Sequence, residues 1–338
     1  MKLSIVQLTI AATFALFLVA CTPDKPVTPP TPEPIPAVEV TIPVFNKDSA
    51  YQYIQTQVDF GPRVPETDAH AACAKWIEGK LAAFGWQTQV QEAVIDGWDS
   101  KTIGIKNIIG SYKPELKNRV LLCAHWDTRR ITDQDAEFPD KPGLGADDGG
   151  SGVGIFLEIA RVVAQANDLN VGLDIVFFDA EDQGESRSPR PAEQSWCLGS
   201  QYWSRNMHTM AAKPQFGILL DMAGSKNARF PMEGVSSKRA PAVHQAVWRE
   251  ARSLGYSDLF VTDRAQDLID DHVYVNDIAK IPTIDIINLP TSPSHNGTFG
   301  AYWHTQQDNM DIIGKHTLNA VGQVVLTSLY KHEKDALY

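Results

Sequence analysis

The sequence predicts an α/β fold, a three-layer α/β/α sandwich with a mixed, largely parallel central sheet. Two observations support this prediction. Short apolar runs alternate with segments of helical periodicity along most of the chain, and many of the apolar runs end in acidic residues or histidines. With 338 residues, of which 43% are hydrophobic, the chain can also bury a large core.

The first 44 residues are predicted to direct export of the protein and to tether it to a membrane, rather than to form part of the folded domain. Residues 1–20 contain one lysine and an apolar run, and the tetrapeptide Leu-Val-Ala-Cys that ends at Cys21 resembles a bacterial lipobox. Residues 21–44 are rich in proline, which favours an extended tether. We expect a lipoprotein signal peptide at residues 1–20, a tether at residues 21–44 and one domain at residues 45–338, with a lipid on Cys21 anchoring the protein in the bacterial cell envelope. An ordinary secretory signal with an incidental cysteine is the alternative.

Periodicity places the secondary structure of the domain in chain order. Apolar residues recur at helical spacing over residues 67–84, and Gly85 suits the end of that helix. Short apolar runs predict strands at residues 102–109, 120–123, 173–178, 216–220 and 282–289. Helical spacing predicts further helices at residues 152–166, 198–211, 240–254 and 311–331.

Polar side chains stand where the predicted strands end. The strand at residues 173–178 leads directly into a cluster that includes Glu181 and Asp182. Because ligands of parallel sheets bind beyond the carboxyl ends of the strands, we expect such residues to meet at one edge of the sheet. The others are His125, Asp127, Asp148, Asp221 and His304. Each alone is compatible with a turn, a helix cap or a surface position, but carboxylates crowded together repel each other, and a bound cation is the simplest way to neutralise them.

Composition restricts the partners and the redox chemistry. A formal net charge of −11 argues against a nucleic-acid partner, because phosphate backbones are bound by basic surfaces. Of the 4 cysteines, lipidation of Cys21 leaves an odd number, so at most one disulfide can form. None of them lies in a CxxC motif, which disfavours cysteine ligation of a metal. We expect a monomer.

Four motifs in this order resemble those of the zinc-aminopeptidase-like exopeptidases. They are HxD at His125, GADDGGSG around Asp148, FFDAED ending at Asp182 and HTxxD beginning at His304. The run DDH that begins at Asp270, together with WHT at residues 303–305, narrows the resemblance to the glutaminyl-peptide cyclotransferases, especially a bacterial branch similar to the animal enzymes. The resemblance covers roughly residue 45 to the C-terminus.

The resemblance implies a single catalytic zinc held by Asp148, Asp182 and His304, with a fourth position left open. It implies that Glu181 serves as the general acid and base. The resemblance also implies roles for five other residues of this sequence. They are Asp221 and Asp270 in a catalytic hydrogen-bond network, Trp303 in the pocket wall, and His125 and Asp127 behind the metal ligands.

The implied reaction converts the N-terminal glutamine of peptides or proteins to pyroglutamate and releases ammonia. Zinc would polarise the γ-carbonyl, the neutral α-amine would attack it, and Glu181 would carry the proton. Two positions depart from the animal enzymes, because Asp182 stands where they have glutamate and Asp285 where they have histidine.

Two other hypotheses remain open at this point. A two-zinc aminopeptidase would bind its second metal through His125, Asp148 and Asp221, and Glu181 would activate water. A lipoprotein that keeps the fold without catalysis is the third possibility, although Glu181 and all three ligand positions are intact.

Overall fold

The computed structural model describes residues 40–97, 99, 101–185, 195–209, 212–290 and 299–338. The predicted signal peptide, Cys21 and most of the predicted tether lie outside the described residues. Val40 and Ile42, from the end of the predicted tether, pack against the hydrophobic core. The described residues all fall in one unit by their contacts, Val38–Tyr338.

A six-stranded mixed sheet forms the centre of the fold. In chain order the strands are β1 (Gln87–Asp96), β2 (Thr102–Tyr112), β3 (Arg119–His125), β4 (Gly172–Phe178), β5 (Phe216–Asp221), β6 (Phe230–Met232), β7 (Phe260–Arg264) and β8 (Thr283–Ile287). The central sheet has the order β1-β2-β4-β3-β5-β8, while β6 and β7 form a separate parallel pair. The pairs β3–β4, β3–β5 and β5–β8 are parallel, whereas β1–β2 and β2–β4 are antiparallel. This arrangement confirms the predicted mixed, largely parallel sheet.

Helices cover both faces of the sheet. They are α1 (Lys47–Asp59), α2 (Asp68–Ala83), α3 (Gly150–Ala166), α4 (Leu198–Arg205), α5 (Gly234–Arg239), α6 (Pro241–Ser253), α7 (Asp271–Tyr274) and α8 (Lys315–Glu333). Alternate residues of β3 enter different clusters, because successive side chains of a strand point to opposite faces. Leu122 joins the large core that includes α3 and α8, whereas Leu121 joins a smaller cluster with Trp203 of α4. These two clusters complete the three predicted layers.

Two predicted helices have different bounds in the structure. The helix predicted at residues 198–211 ends at Arg205, where Asn206 leaves helical geometry and the chain turns so that His208 reaches Asp174; residues 210–211 lie outside the described ranges. The helix predicted at residues 311–331 begins only at Lys315. Before it, Ile313 is extended because it forms a β-bridge with Ser225.

Two glycines allow α3 to approach the sheet closely. Gly149 has φ +84°, and a Cβ there would lie 2.6 Å from the carbonyl oxygen of Asp127. A Cβ on Gly152 would lie 2.6 Å from the carbonyl oxygen of Leu220. The start of α3 therefore packs directly on the carboxyl ends of β3 and β5, which brings Asp148 to that edge of the sheet.

Within the described ranges, no helix combines the length and apolar character needed to cross a membrane. Cys73, Cys123 and Cys197 are buried and free, so none of these thiols forms a disulfide with another.

Candidate active site

A pocket with a volume of about 210 Å³ lies at the carboxyl ends of β4 and β5. Seven of the nine predicted site residues line it, namely Asp148, Glu181, Asp182, Asp221, Asp270, Trp303 and His304. The other two, His125 and Asp127, are buried behind it. The strand ends thus bring together residues that are up to 179 positions apart along the chain.

Three side chains offer a set of metal ligands. One ligand atom each of Asp148, Asp182 and His304 lies within 4.8 Å of the others, and all three residues are buried. Asp182 is only 2% exposed, yet neither of its carboxylate oxygens accepts a hydrogen bond from the described residues. Nε2 of His304 approaches Oδ1 of Asp182 to 3.1 Å without hydrogen-bond geometry. Two carboxylates and an imidazole are ligands that zinc accepts, and a bound cation would satisfy the buried acceptors.

The orientation of His304 is fixed from the side away from Asp182. Its Nδ1 lies 3.0 Å from Oδ1 of Asp133, which also accepts a hydrogen bond from Arg129. Trp303 stacks on the imidazole with ring centroids 3.6 Å apart. Burial opposes protonation, but the carboxylates of Asp182 and Asp133 outweigh it and raise the pKa of His304 to about 9. A metal ion that bound Nε2 would therefore displace a proton.

Asp127 holds the turn that carries Glu181 and Asp182. Its Oδ1 accepts the backbone N–H of Glu181 at 3.0 Å, and its Oδ2 accepts the backbone N–H of Asp182 at 3.2 Å. The side-chain amide of Gln183 donates to the same Oδ2 at 2.8 Å. Ala180, just before this turn, has a left-handed φ of +52°. Asp127 therefore acts on the site by orienting backbone rather than by facing the pocket.

Asp308 holds the ligand Asp148 in a similar way. Its two carboxylate oxygens accept the backbone N–H groups of Asp147 at 2.8 Å and Asp148 at 3.2 Å. Asp308 is the last residue of the HTxxD motif, so the motif supplies both His304 and the group that positions a second ligand.

His125 lies between two carboxylates of the pocket. Its Nε2 is 3.0 Å from Oδ1 of Asp148 and 3.2 Å from Oδ1 of Asp221. Its Nδ1 is 3.6 Å from Asp127, too far for a good hydrogen bond. Burial alone would lower the pKa of His125, but the neighbouring carboxylates raise it well above its usual value. His125, Asp148 and Asp221 also have ligand atoms within 4.8 Å of one another, as a second metal would require.

Glu181 is partly buried beside the three possible ligands. Burial, and then the negative charges of Asp182 and Asp270, raise its pKa well above the usual value, while His125 opposes this shift. The thiol of Cys197 donates to Oε1 of Glu181 at 3.2 Å. Burial raises the pKa of Cys197 well above its usual value, so the sulfur keeps its hydrogen. The sequence gives no sign of this contact, because Cys197 lies outside every motif.

Further acids stand behind Glu181. Burial, with the charge of Asp270, raises the pKa of Asp221 to about 7, although His125 opposes this shift. Asp285 is fully buried, and burial together with the charges of Asp270 and Asp221 raises its pKa well above the usual value. Atoms of Asp270, Asp285 and His272 lie within 4.8 Å of one another. Negative charge in this part of the pocket is therefore crowded, which favours shared protons.

Apolar side chains form the remaining pocket wall. Phe299 stacks on Trp303 with ring centroids 4.6 Å apart. Trp196 also lines the pocket, while residues 186–194 before it lie outside the described ranges. The other apolar lining residues are Met222, Leu268, Ile269 and Ile287. They belong to no motif, so only the fold reveals them.

Residues 107–329 match Peptidase family M28, which is more than half of the chain. The chain belongs to peptidase family M28. A solved structure of the glutaminyl cyclase of Bacteroides thetaiotaomicron, bound to N-acetylhistamine, is 48% identical to this M28 chain. The match has a TM-score of 0.82 and covers 86% of this chain and 99% of that one.

Two other proteins similar to this M28 chain are named as a zinc-dependent exopeptidase and a cyclotransferase. A Zn-dependent exopeptidase of Parabacteroides distasonis is 46% identical, with a TM-score of 0.83, over 86% of this chain and 99% of that one. The glutaminyl-peptide cyclotransferase of Bothrops jararaca is 22% identical over 244 residues, or 65% of this chain. The match spans 63% of the length of that curated relative. The predicted resemblance to zinc-aminopeptidase-like proteins and glutaminyl cyclases is confirmed.

Proposed function

We propose that this M28 protein is a zinc-dependent glutaminyl-peptide cyclotransferase. The observation that carries the proposal is that Asp148, Asp182 and His304 offer ligand atoms within 4.8 Å of one another, while Glu181 lines the same pocket beside them. A single ion held by these three residues leaves Glu181 for proton transfer. The similarity to the glutaminyl cyclase of B. thetaiotaomicron supports this conclusion.

One zinc per chain would be held by Asp148, Asp182 and His304. The unpartnered carboxylate oxygens of Asp182 and the name of the P. distasonis relative support zinc as the metal. When bound there, zinc would supply Lewis acidity toward the γ-carbonyl oxygen of the substrate glutamine.

Glu181 would move the proton during ring closure. The substrate α-amine forms a bond to the carbonyl carbon of the side-chain amide, and the bond from that carbon to the amide nitrogen breaks. Glu181 accepts one amine hydrogen and returns it to the departing nitrogen, which leaves as ammonia. Burial and the nearby acids raise the pKa of Glu181, toward the range in which a carboxyl group can both take and return a proton. Asp221 and Asp270, which line the same pocket, would support this transfer as members of a hydrogen-bond network around Glu181.

The apolar wall would orient the substrate and exclude water. Trp303 and Phe299 stack against each other at the pocket, and His304 is fixed beneath Trp303. Cyclisation consumes no water, and water at the activated carbonyl would hydrolyse the glutamine side chain instead. A dry aromatic wall therefore favours ring closure.

The N-terminal sequence motivates a location for this activity. A lipid on Cys21 would tether a monomer in the bacterial cell envelope, where exported peptides and proteins with N-terminal glutamine are available. The substitution Cys21→Ser should release the protein from membranes in fractionated cells; full membrane retention of that variant would contradict the lipid anchor.

A two-zinc aminopeptidase is the second candidate function. It is favoured by the ligand atoms of His125, Asp148 and Asp221, which lie within 4.8 Å of one another, and by the exopeptidase named among the relatives. In that enzyme an ion would replace the hydrogen on Nε2 of His125.

One experiment separates the two functions. The purified protein is incubated with a peptide that begins with glutamine and with the same peptide beginning with leucine, while its zinc content is measured. A glutaminyl cyclase shifts only the first peptide, by the mass of one ammonia, with one zinc per chain. Release of free leucine by protein that holds two zinc ions per chain would replace the proposal with the aminopeptidase.

A further inference from the structure

A second cavity lies apart from the active site. We call it the basic groove, the cavity lined by Lys238, His244, Trp248, Arg249, Arg252 and Arg264. Its volume is about 700 Å³, and it is formed by α5, α6, β7 and the segment after β7. None of its lining residues lines the active-site pocket.

The basic groove carries positive charge on a protein whose net charge is −11. Of its four cationic residues, Lys238 is paired with Asp267, at 2.7 Å from Oδ1, and Arg249 donates to the carbonyl oxygen of Leu337. Arg252 and Arg264 are exposed, and neither forms an ion pair within the described part of the chain. Asp267 is the only acidic residue among the described residues that line the groove. Two guanidinium groups therefore remain available to an anion.

His244 adds a buried polar group with an unmet hydrogen bond. Its side chain is fully buried, and its Nε2 has no hydrogen-bond partner among the described residues. Nδ1 lies 3.3 Å from Oγ of Ser237. Burial lowers the pKa of His244 to about 4, so the imidazole is neutral at pH 7. When the Ser237 hydroxyl donates to Nδ1, the other nitrogen carries the hydrogen and can donate to an anion.

Trp248 gives the groove a rigid aromatic surface. Its Nε1 donates to the carbonyl oxygens of Phe230 at 3.2 Å and Val261 at 3.0 Å. The indole packs edge-on against His244, with ring centroids 4.4 Å apart. These contacts fix the ring before any ligand binds, which reduces the entropy lost on binding.

We propose that the basic groove binds a phosphate ester, with the phosphate between Arg252 and Arg264 and the organic part against Trp248. Guanidinium groups bind phosphate oxygens in pairs, and the groove is large enough for a phosphate with an organic body attached. Two arginines and the imidazole line the same groove, and together they offer more N–H donors than the two oxygens of a carboxylate need. The phosphate could belong to a soluble metabolite or to a lipid headgroup. This proposal is independent of the cyclotransferase activity.

Calorimetric titration of the full chain with inorganic phosphate and with sn-glycerol 3-phosphate tests the site. We expect saturable binding of both, tighter for the ester, and about tenfold weaker binding when Arg252→Gln and Arg264→Gln are combined. A matched control combines Arg205→Gln with Arg239→Gln, two exposed arginines that do not line the groove, and should bind like the wild type. No saturable binding, or equal weakening in the control, would overturn the proposal.

Two further measurements locate the ligand and identify its source. The imidazole resonances of His244, assigned through His244→Gln, should shift with sn-glycerol 3-phosphate in the wild type; unchanged resonances at saturation would exclude this groove as the site. Flotation with phosphatidylglycerol vesicles that is lost in the Arg252/Arg264 double variant but kept in its control would identify a lipid headgroup as the ligand. Binding of the ester, with flotation that does not differ between the double variant and its control, would identify a soluble phosphate ester instead. Cyclisation of a glutamine peptide should be unchanged in the double variant, so the test does not depend on the proposed activity.

Discussion

Two buried aspartates at opposite ends of β4 differ in what surrounds their carboxylates. Asp174, near the start of the strand, accepts hydrogen bonds from Ser111 at 2.7 Å and from Arg119 at 2.6 and 2.7 Å, and lies 3.2 Å from His208. Asp182, just after the end of the strand, accepts no hydrogen bond within the described ranges and is called unpartnered in that sense. Nε2 of His304 and Nη1 of Arg129 lie 3.1 and 3.8 Å from its Oδ1 without hydrogen-bond geometry. Both side chains are at most 2% exposed, so burial does not explain the difference.

The contrast separates acids that stabilise the fold from acids that are kept for binding. A buried carboxylate with charged partners contributes to stability as long as the set stays complete, whereas an unpartnered one costs free energy. The protein places the unpartnered acid at the edge of the sheet where ligands bind. Substitutions at the two ends of β4 should therefore have opposite consequences for folding and for activity.

The largest effect on catalysis is expected from Glu181→Gln, at the unpartnered end of β4. Glutamine has nearly the same shape but cannot accept the amine proton, so turnover should fall by about 10²- to 10⁴-fold. Zinc content and thermal stability should match the wild type, because Glu181 is not a proposed ligand. Assays of glutamine-peptide cyclisation with metal analysis check this prediction, and an unchanged rate would remove Glu181 from the mechanism.

Asp174→Asn tests the paired end of β4. The substitution leaves the buried Arg119 without its charged partner, and we expect a loss of about 3–5 kcal/mol in the free energy of unfolding. Activity per folded molecule should be unchanged. Urea unfolding measures the effect, with Asp263→Asn as a control, since Asp263 pairs with Arg229 at an exposed position. A loss no larger than that of the control would contradict the comparison.

The same carboxylate should make stability depend on pH in the acidic range. Burial raises the pKa of Asp174, but His208 and Arg119 outweigh burial and lower it to about 2. A lowered pKa stabilises the fold above the unfolded value of about 3.9, and this contribution disappears as pH falls from about 4 to about 2. The stability difference between the wild type and Asp174→Asn should thus shrink by about 2 kcal/mol between pH 5 and pH 2. A constant difference in urea unfolding would show that Asp174 is not ionised in the fold.

Asp182→Asn should have the opposite effect on folding. Burial outweighs the attraction of His304 and raises the pKa of Asp182, so the ionised carboxylate costs free energy in the fold. A neutral amide avoids this cost, and the metal-free protein should become more stable by about 1 kcal/mol. Zinc binding should be lost at the same time. Thermal unfolding in the presence of a chelator, compared with zinc content after dialysis, measures both quantities. Lower stability of the metal-free variant would mean that the attraction of His304 and Arg129 outweighs the burial of the Asp182 carboxylate, which would contradict the comparison.

The smallest effect is expected at Cys197, whose thiol donates to Glu181 at 3.2 Å. Cys197→Ala should lower kcat by about threefold and leave KM unchanged, because a weak hydrogen bond that holds the base is lost. Cys197→Ser should restore most of the rate. Cys123→Ala, which removes a buried thiol in β3, serves as the control. Equal losses at Cys197 and Cys123 would indicate a packing effect only.

The sequence predicts the inner strands well because they are buried on both faces. All residues of β3 and β4 are buried, and residues 120–124 and 175–178 form continuous apolar runs, while Arg119 and Asp174 near the strand starts pair with each other. β1 was not predicted because it is an edge strand with ten half-buried or exposed residues, six of them polar. α1 was not predicted either, because its segment KDSAYQYIQTQVD contains too few apolar residues for a helical period to be recognised.

All nine predicted site residues meet at one edge of the sheet, although their roles stay predictions. Strand ends position most of them, and this rule needs only the strand assignments. The contacts of Cys197 with Glu181 and of Asp133 with His304 could not be predicted. They depend on turns with left-handed residues, such as Cys197 itself at φ +55°, which no sequence pattern specifies.

The hydrogen bonds of Asp308 have a consequence for the biogenesis of this protein. The N–H groups that it accepts belong to a loop 160 residues earlier in the chain, and His304 reaches the same loop from a neighbouring turn. With the proposed ligand set, a polypeptide that emerges amino end first would carry Asp148 and Asp182 long before the imidazole of His304 is available. Metal binding would then require the C-terminal part of the chain.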